Sequence, residues 1–92
     1  MSQLSFTVTN DSLNFLGGLE SKQFRQVWSK ILNLTKEPRP ANSEHVSGHV
    51  GCYRIPIGEF RCVYRYSSKS VEVIVVNRRN DDKAYQKLRR LD

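Results

Sequence analysis

Leu4, Phe6 and Val8 alternate with Ser5, Thr7 and Thr9, the period of two that turns one side of a strand toward a core. The period then changes. Asn10, Asp11 and Ser12 are N-cap residues for a brief helix through Leu13 and Leu16 that ends at Gly17-Gly18. After Ser21, the apolar residues Phe24, Val27, Trp28, Ile31 and Leu32 fall on one stripe of a helix running to about Thr35, with Lys22, Arg25, Gln26 and Lys30 mostly outside it. Pro38 and Pro40 close this helix, because proline lacks a backbone donor and restricts the residue before it. The stretch 39–51 carries Asn, Ser, His and Gly and reads as a long loop.

The second half has a β pattern. Residues 52–57, 60–66 and 71–77 are rich in Tyr, Ile, Val and Phe, separated by Gly58-Glu59 and by Ser67-Ser68-Lys69-Ser70. A two-residue turn at Gly58-Glu59 sets Ile57 opposite Phe60, Ile55 opposite Cys62 and Tyr53 opposite Tyr64. The next loop sets Tyr66 opposite Val71 and Tyr64 opposite Val73. Alternation then sorts the sheet into two faces. One face carries Tyr53, Ile55, Ile57, Phe60, Cys62, Tyr64, Tyr66, Val71, Val73 and Val75, and is the natural seat for the Phe24/Trp28/Ile31 stripe. The other carries Arg54, Pro56, Arg61, Val63, Arg65, Glu72, Ile74 and Val76, with Arg78 at its rim. Residues 81–91 read as a short helix capped by Asn80 or Asp81, with acids in its first turn and bases in its last. The expected fold is a single α+β domain over 1–92. It has a small, mostly antiparallel four-stranded sheet, N-terminal helices packed on one face, a short C-terminal helix, and an open basic second face.

Composition narrows the class. Hydrophobic residues at 38% suffice for a core in 92 residues, and no apolar run approaches the roughly 18 residues of a bilayer span. The N-terminus has no basic region leading into an apolar one, so no secretory signal is expected and a reduced, cytoplasmic compartment is the simplest reading. Two cysteines, Cys52 and Cys62, are too few for a disulfide framework or a four-ligand zinc site, so no metal or cofactor is expected. The net charge is +6, and nearly all the excess lies beyond residue 53, where ten basic residues face four acidic ones up to Arg90. A domain with one positive half suits a polyanionic partner or, more plainly, a solvated basic surface.

On the basic face Arg65 is opposite Glu72, a simple cross-strand pair. Arg54 and Arg61 have no evident acidic partner in the sequence and are the sharper candidates for an external anion. His45 and His49 allow an imidazole acid–base scheme, but both fall in the loop before the sheet, which leaves His49 a minor candidate and His45 below it. Cys62 alternates onto the core face as packing, and Trp28 fits the helix stripe as core.

The segment Cys-Tyr-Arg-Ile-Pro-Ile-Gly-Glu-Phe-Arg-Cys-Val-Tyr-Arg-Tyr (52–66), the Val-rich strand 71–76 and Asn-Arg-Arg-Asn-Asp-Asp-Lys-Ala-Tyr (77–85) together resemble the RelE/ParE superfamily of toxins, and most closely the RelE-type ribosome-dependent mRNA interferases. The resemblance covers about residues 50–88. It implies a toxin of a type II toxin–antitoxin system that cleaves mRNA in the ribosomal A site and inhibits translation. Arg61 matches the family's hairpin arginine at the scissile phosphate, and Arg54 falls where the family has a basic residue on the preceding strand. Arg79 and Tyr85 match the arginine after the last strand and the tyrosine beyond it. Pro56 is a departure, since the family's best-known members carry a second basic residue there; Arg78, Lys83 or His49 are the candidate replacements. The resemblance also implies an antitoxin that wraps the toxin in a heteromeric complex.

RNA cleavage of this kind needs the 2′-hydroxyl deprotonated, the phosphorane stabilised and the 5′-oxygen protonated. Arginines suit the second task, because a guanidinium holds two phosphate oxygens at once. Tyrosine, with a reference pKa of about 10, is a phenolate in only about one molecule in a thousand at pH 7, and neighbouring arginines favour that form. Two other readings remain open: a ParE-like, non-enzymatic toxin that inhibits DNA gyrase, and a catalytically degenerate relative that binds RNA or an acidic protein.

Overall fold

The computed structural model describes residues 5–78. Arg79, Lys83, Tyr85 and the helix expected over 81–91 lie outside them. The alternation around Phe6 forms β1 (Ser5–Val8), and α1 (Asn10–Gly17) comes directly after it. The cap of α1 is Thr9, one residue ahead of the three expected: its Oγ1 accepts the Ser12 amide at 3.3 Å. The amphipathic stripe forms α2 (Ser21–Asn33), which buries Val27 and Ile31. Phe24 and Trp28 are partly buried, with their rings stacked at 5.7 Å, and Trp28 meets Phe6 edge-on at 5.4 Å.

The sheet has five strands rather than four. Within the expected loop, Glu44–His45 forms a two-residue strand, β2, that pairs with β3 (Cys52–Ile57). β4 (Phe60–Tyr66) and β5 (Ser70–Arg78) complete it, in the order β1-β5-β4-β3-β2. The β2–β3, β3–β4 and β4–β5 ladders are antiparallel, whereas β1 runs parallel to β5. The hairpin register is the one the turn chemistry predicts: Ile57↔Phe60, Ile55↔Cys62 and Tyr53↔Tyr64 on one side, Tyr66↔Val71 and Tyr64↔Val73 on the other.

Beyond Tyr64 the expected alternation fails. Tyr64 pairs with Val73 but Val63 pairs with Val75, so Ile74 is an extra residue in β5, a β-bulge. The bulge reverses the faces of the later residues of β5. Val76 pairs with Cys62 and joins the helix-side core, while Val75 moves to the opposite face beside Val63 and Ile74. The carbonyl left by the bulge is not orphaned, because the Thr9 hydroxyl donates to Ile74 O at 2.7 Å. One threonine therefore caps α1 and secures the irregular point of β5.

α1 packs against β5 and α2 against β3. They cover a core of Leu16, Val27, Ile31, Leu34, Ile55, Ile57, Phe60, Cys62, Tyr64, Val71, Val73 and Val76. Burial pushes the Cys62 thiol up to about 12, which fits inert packing. Tyr64 donates its hydroxyl to Pro38 O at 2.5 Å, tying the chain after α2 to the sheet, and its burial also raises its pKa to about 12. The second face is not open throughout. Val46, from the segment after β2, forms a smaller apolar cluster with Cys52, Val63, Ile74 and Val75.

Candidate functional site

The small cluster divides the second face into two polar ends. At one end Arg65 pairs with Glu72 at 2.5 Å, as the cross-strand register predicts. At the other, Pro56, Arg61 and Asn77 lie side by side across β3, β4 and β5. Arg54 is two residues back on β3 and therefore on the same face. Arg54, Pro56 and Arg61 line a hollow of about 190 Å³, so two of the arginines singled out from sequence share one concavity.

A carboxylate that the sequence pattern did not reveal lines the same hollow. Glu44 pairs with Arg54 in the β2–β3 register, and its Oε2 lies 3.2 Å from Arg54 Nη2. This corrects the expectation that Arg54 lacks an acidic partner, and it adds a second acid to the face that carries Glu72. No periodicity could have disclosed Glu44, since a two-residue strand is too short to alternate. The hollow thus joins guanidinium groups to an acid–base group.

Arg78 is elsewhere. With the bulge in place it pairs with Phe60, on the helix side of the sheet. Its Nη1 lies 2.9 Å from Glu59 Oε1, and its guanidinium sits 5.3 Å from the Phe60 ring centroid. Glu59 also accepts from Gln23 Nε2 at 3.1 Å, so the hairpin tip is held to α2 and to the end of β5. Asn77 takes the position beside Arg61 where alternation alone would have set Val76. His49 is partly buried in the turn between Val46 and Cys52, where its amide donates to Val46 O and its carbonyl accepts from the Cys52 amide. His45 meets Tyr53 edge-on at 5.4 Å on the helix side. Among the described residues, no three His, Cys, Asp or Glu side chains gather closely enough to hold a metal ion.

This arrangement stands on a known scaffold. A doubly substituted variant of the E. coli toxin RelE, solved in the free state, superposes with a TM-score of 0.80 at 23% identity, covering 99% of this chain and all of that one. The chain has the RelE fold. The RelE–RelB complex from Pyrococcus horikoshii OT3 matches with a TM-score of 0.70 at 17% identity, over 86% of this chain and 98% of its counterpart. The ParDE toxin–antitoxin system of P. aeruginosa matches with a TM-score of 0.67 at 12% identity, over 83% and 96% of the two chains. These likenesses show the fold that the hairpin resemblance implied. No family model matches the chain, and no curated protein matches it.

Proposed function

We propose that the chain is the toxin of a type II toxin–antitoxin system and a ribosome-dependent mRNA endoribonuclease. The observation that carries this reading is the hollow on a RelE fold in which Arg54 and Arg61 meet the carboxylate of Glu44. Arg61 holds the scissile phosphate, with Arg54 as a second basic contact. Arg79 and Tyr85 come to the mechanism from the family resemblance, as does Lys83 as an RNA contact. Arg78, committed to Glu59 on the helix side, supports the hairpin tip instead.

The chemistry balances with these groups. At neutral pH a carboxylate is already in its base form and a phenol still holds its proton. Glu44 takes the 2′-hydroxyl proton as the 2′-oxygen bonds to phosphorus. The guanidinium groups stabilise the charge on the phosphorane oxygens, and the bond to the 5′-oxygen breaks as Tyr85 donates its proton there. The products are a 2′,3′-cyclic phosphate and a free 5′-hydroxyl. The ribosome aligns the substrate, which suits a site with few acid–base groups.

The partners in this reading are mRNA on the ribosome and a cognate antitoxin, as in the RelE–RelB complex. Inducing the chain without antitoxin should arrest growth and yield transcript ends within codons, and Arg61→Ala and Tyr85→Phe should each restore growth. Toxicity persisting in both variants would sink the proposal. The ParDE likeness favours one competing reading, gyrase inhibition, for which DNA damage with intact message would be the sign.

A further inference from the structure

Tyr53, Tyr64 and Tyr66 gather on the helix side of the sheet, where β3 begins and β4 ends. Tyr64 is fully buried and Tyr53 half-buried, whereas Tyr66 is 36% exposed. The exposed ring of His45 meets Tyr53 edge-on at 5.4 Å from the β2 side, and Tyr66 lies 5.5 Å from it on the β4 side. The guanidinium of Arg39 sits 4.2 Å over the Tyr53 ring, and its Nε donates to Ser43 Oγ at 3.0 Å. Tyr53 thus gives its face to a cation, and the rings turned to solvent are those of His45 and Tyr66.

Exposed rings on either side of a fixed guanidinium suit a chain that alternates flat groups with negative charges. Single-stranded RNA is such a chain: its bases stack on aromatic side chains and its phosphates meet the cation. An acidic peptide would answer Arg39 but not the rings that flank it. The path between this patch and the hollow comes from β2, which lies at the edge of the sheet. Glu44 and His45 are consecutive there, so their side chains take opposite faces, Glu44 lining the hollow and His45 against the tyrosines. A single edge strand separates the two surfaces.

We infer that His45 and Tyr66 stack nucleobases, and that Arg39 binds a phosphate, of the RNA strand that leaves the hollow over the β2 edge. The inference rests on the RNA-cleavage reading for that path and deepens it by seating the message outside the scissile linkage. Stacking accepts every base, so this platform adds affinity without sequence preference.

The probe is a fluorescein-labelled single-stranded RNA of roughly a dozen nucleotides, methylated at every 2′-oxygen, bound to the full chain and followed by anisotropy. Methylation blocks the attacking hydroxyl, so binding is read without cleavage. Tyr66→Ala should weaken binding about tenfold and His45→Ala about fivefold, while Tyr66→Phe, which keeps the ring, should stay within roughly twofold of the wild type. Tyr66→Leu keeps apolar bulk without an aromatic face and should lose about as much as the alanine variant. If Tyr66→Ala fails to fold, the Leu and Phe variants carry the comparison. Arg39→Ala should reduce the slope of log affinity against log salt by about 0.7, the share of one phosphate contact on a single strand.

Wild-type affinity in Tyr66→Leu would mark a merely apolar contact, such as a protein partner makes, and would overturn the assignment. An unchanged salt slope in Arg39→Ala, or no binding of this RNA by the wild type, would overturn it too. If the wild type cuts no mRNA but the variants lose the methylated RNA as expected, the nuclease reading fails and the platform stands. Cleavage by the wild type together with full RNA binding in every variant removes the platform alone.

Discussion

Glu44 on β2 and Arg54 on β3 face each other across an antiparallel ladder, Oε2 to Nη2 at 3.2 Å. Their side chains are 66% and 36% exposed, so the pair contributes little to stability; its importance is the carboxylate it holds at the rim of the hollow. Glu44→Gln keeps the shape and a hydrogen bond to Arg54 but removes the carboxylate that the proposed mechanism uses as its base. Cleavage should fall about a hundredfold in kcat, and the urea unfolding midpoint should barely move. An active Gln variant would remove Glu44 from the mechanism while leaving the arginines in it.

The Thr9 hydroxyl accepts the Ser12 amide at the start of α1, donates to Ile74 O at the bulge, and also lies 2.9 Å from Ser12 Oγ. Thr9→Ala should destabilise the fold by about 2 kcal/mol, roughly half from the lost cap and half from the unsatisfied carbonyl. Thr9→Ser keeps the hydroxyl and should recover most of that loss. Urea unfolding of the three proteins measures both values, and equal losses in the Ala and Ser variants would deny the hydroxyl its role.

The β3–β4 turn depends on Gly58, whose φ of +59° lies in the left-handed region. A Cβ added there would also lie 2.7 Å from Gln26 Nε2, the movable end of a flexible side chain. Gly58→Ala should therefore cost about 1 kcal/mol, mostly from backbone conformation. Combining it with Gln26→Ala separates the two causes by thermal unfolding. The double variant should remain less stable than Gln26→Ala by about the same amount; equality would assign the cost to the contact.

Cys62 and Tyr64 both hold their protons more tightly when folded, each with a pKa raised to about 12 by burial, against ordinary values of 9.0 and 10.0. The folded state binds more protons than the unfolded chain between these limits, so stability falls as pH rises through them. Stability should be flat toward pH 9, decline from there, and decline more steeply above pH 10 until about pH 12. Cys62→Ala should flatten the first part of the decline and Tyr64→Phe the second. Urea midpoints taken across this range test both, and identical profiles in all three proteins would refute the assignment.

Much of this architecture was legible because turns fix register. Gly58-Glu59 and the Ser67–Ser70 loop set the pairings of Tyr53, Ile55 and Tyr64, and with them the shared face of Arg54 and Arg61. The reading failed at the bulge for a physical reason. Val73, Ile74, Val75 and Val76 are all apolar, so no polar residue among them marks where the alternation slips, and Arg78 was carried to the wrong face. β2 was missed because two residues have no period, and Glu44 went with it. The place of Asn77 beside Arg61 was invisible for the same reason as that of Arg78, since one extra residue upstream decides which side both occupy.

β1 lies parallel to β5, with Ser5 beside Ser70 and Val8 beside Val73. The earliest strand to be synthesised thus waits for the last one described. Until synthesis has passed Ile74, Thr9 has no carbonyl to bind and α1 has no β5 to rest on. Such distant pairing slows folding by its loop-closure entropy. A nascent chain interrupted before β5 would leave β1 with no strand to pair with and Arg61 with no Asn77 across from it, so the N-terminal strand and the basic face are completed by the same late segment.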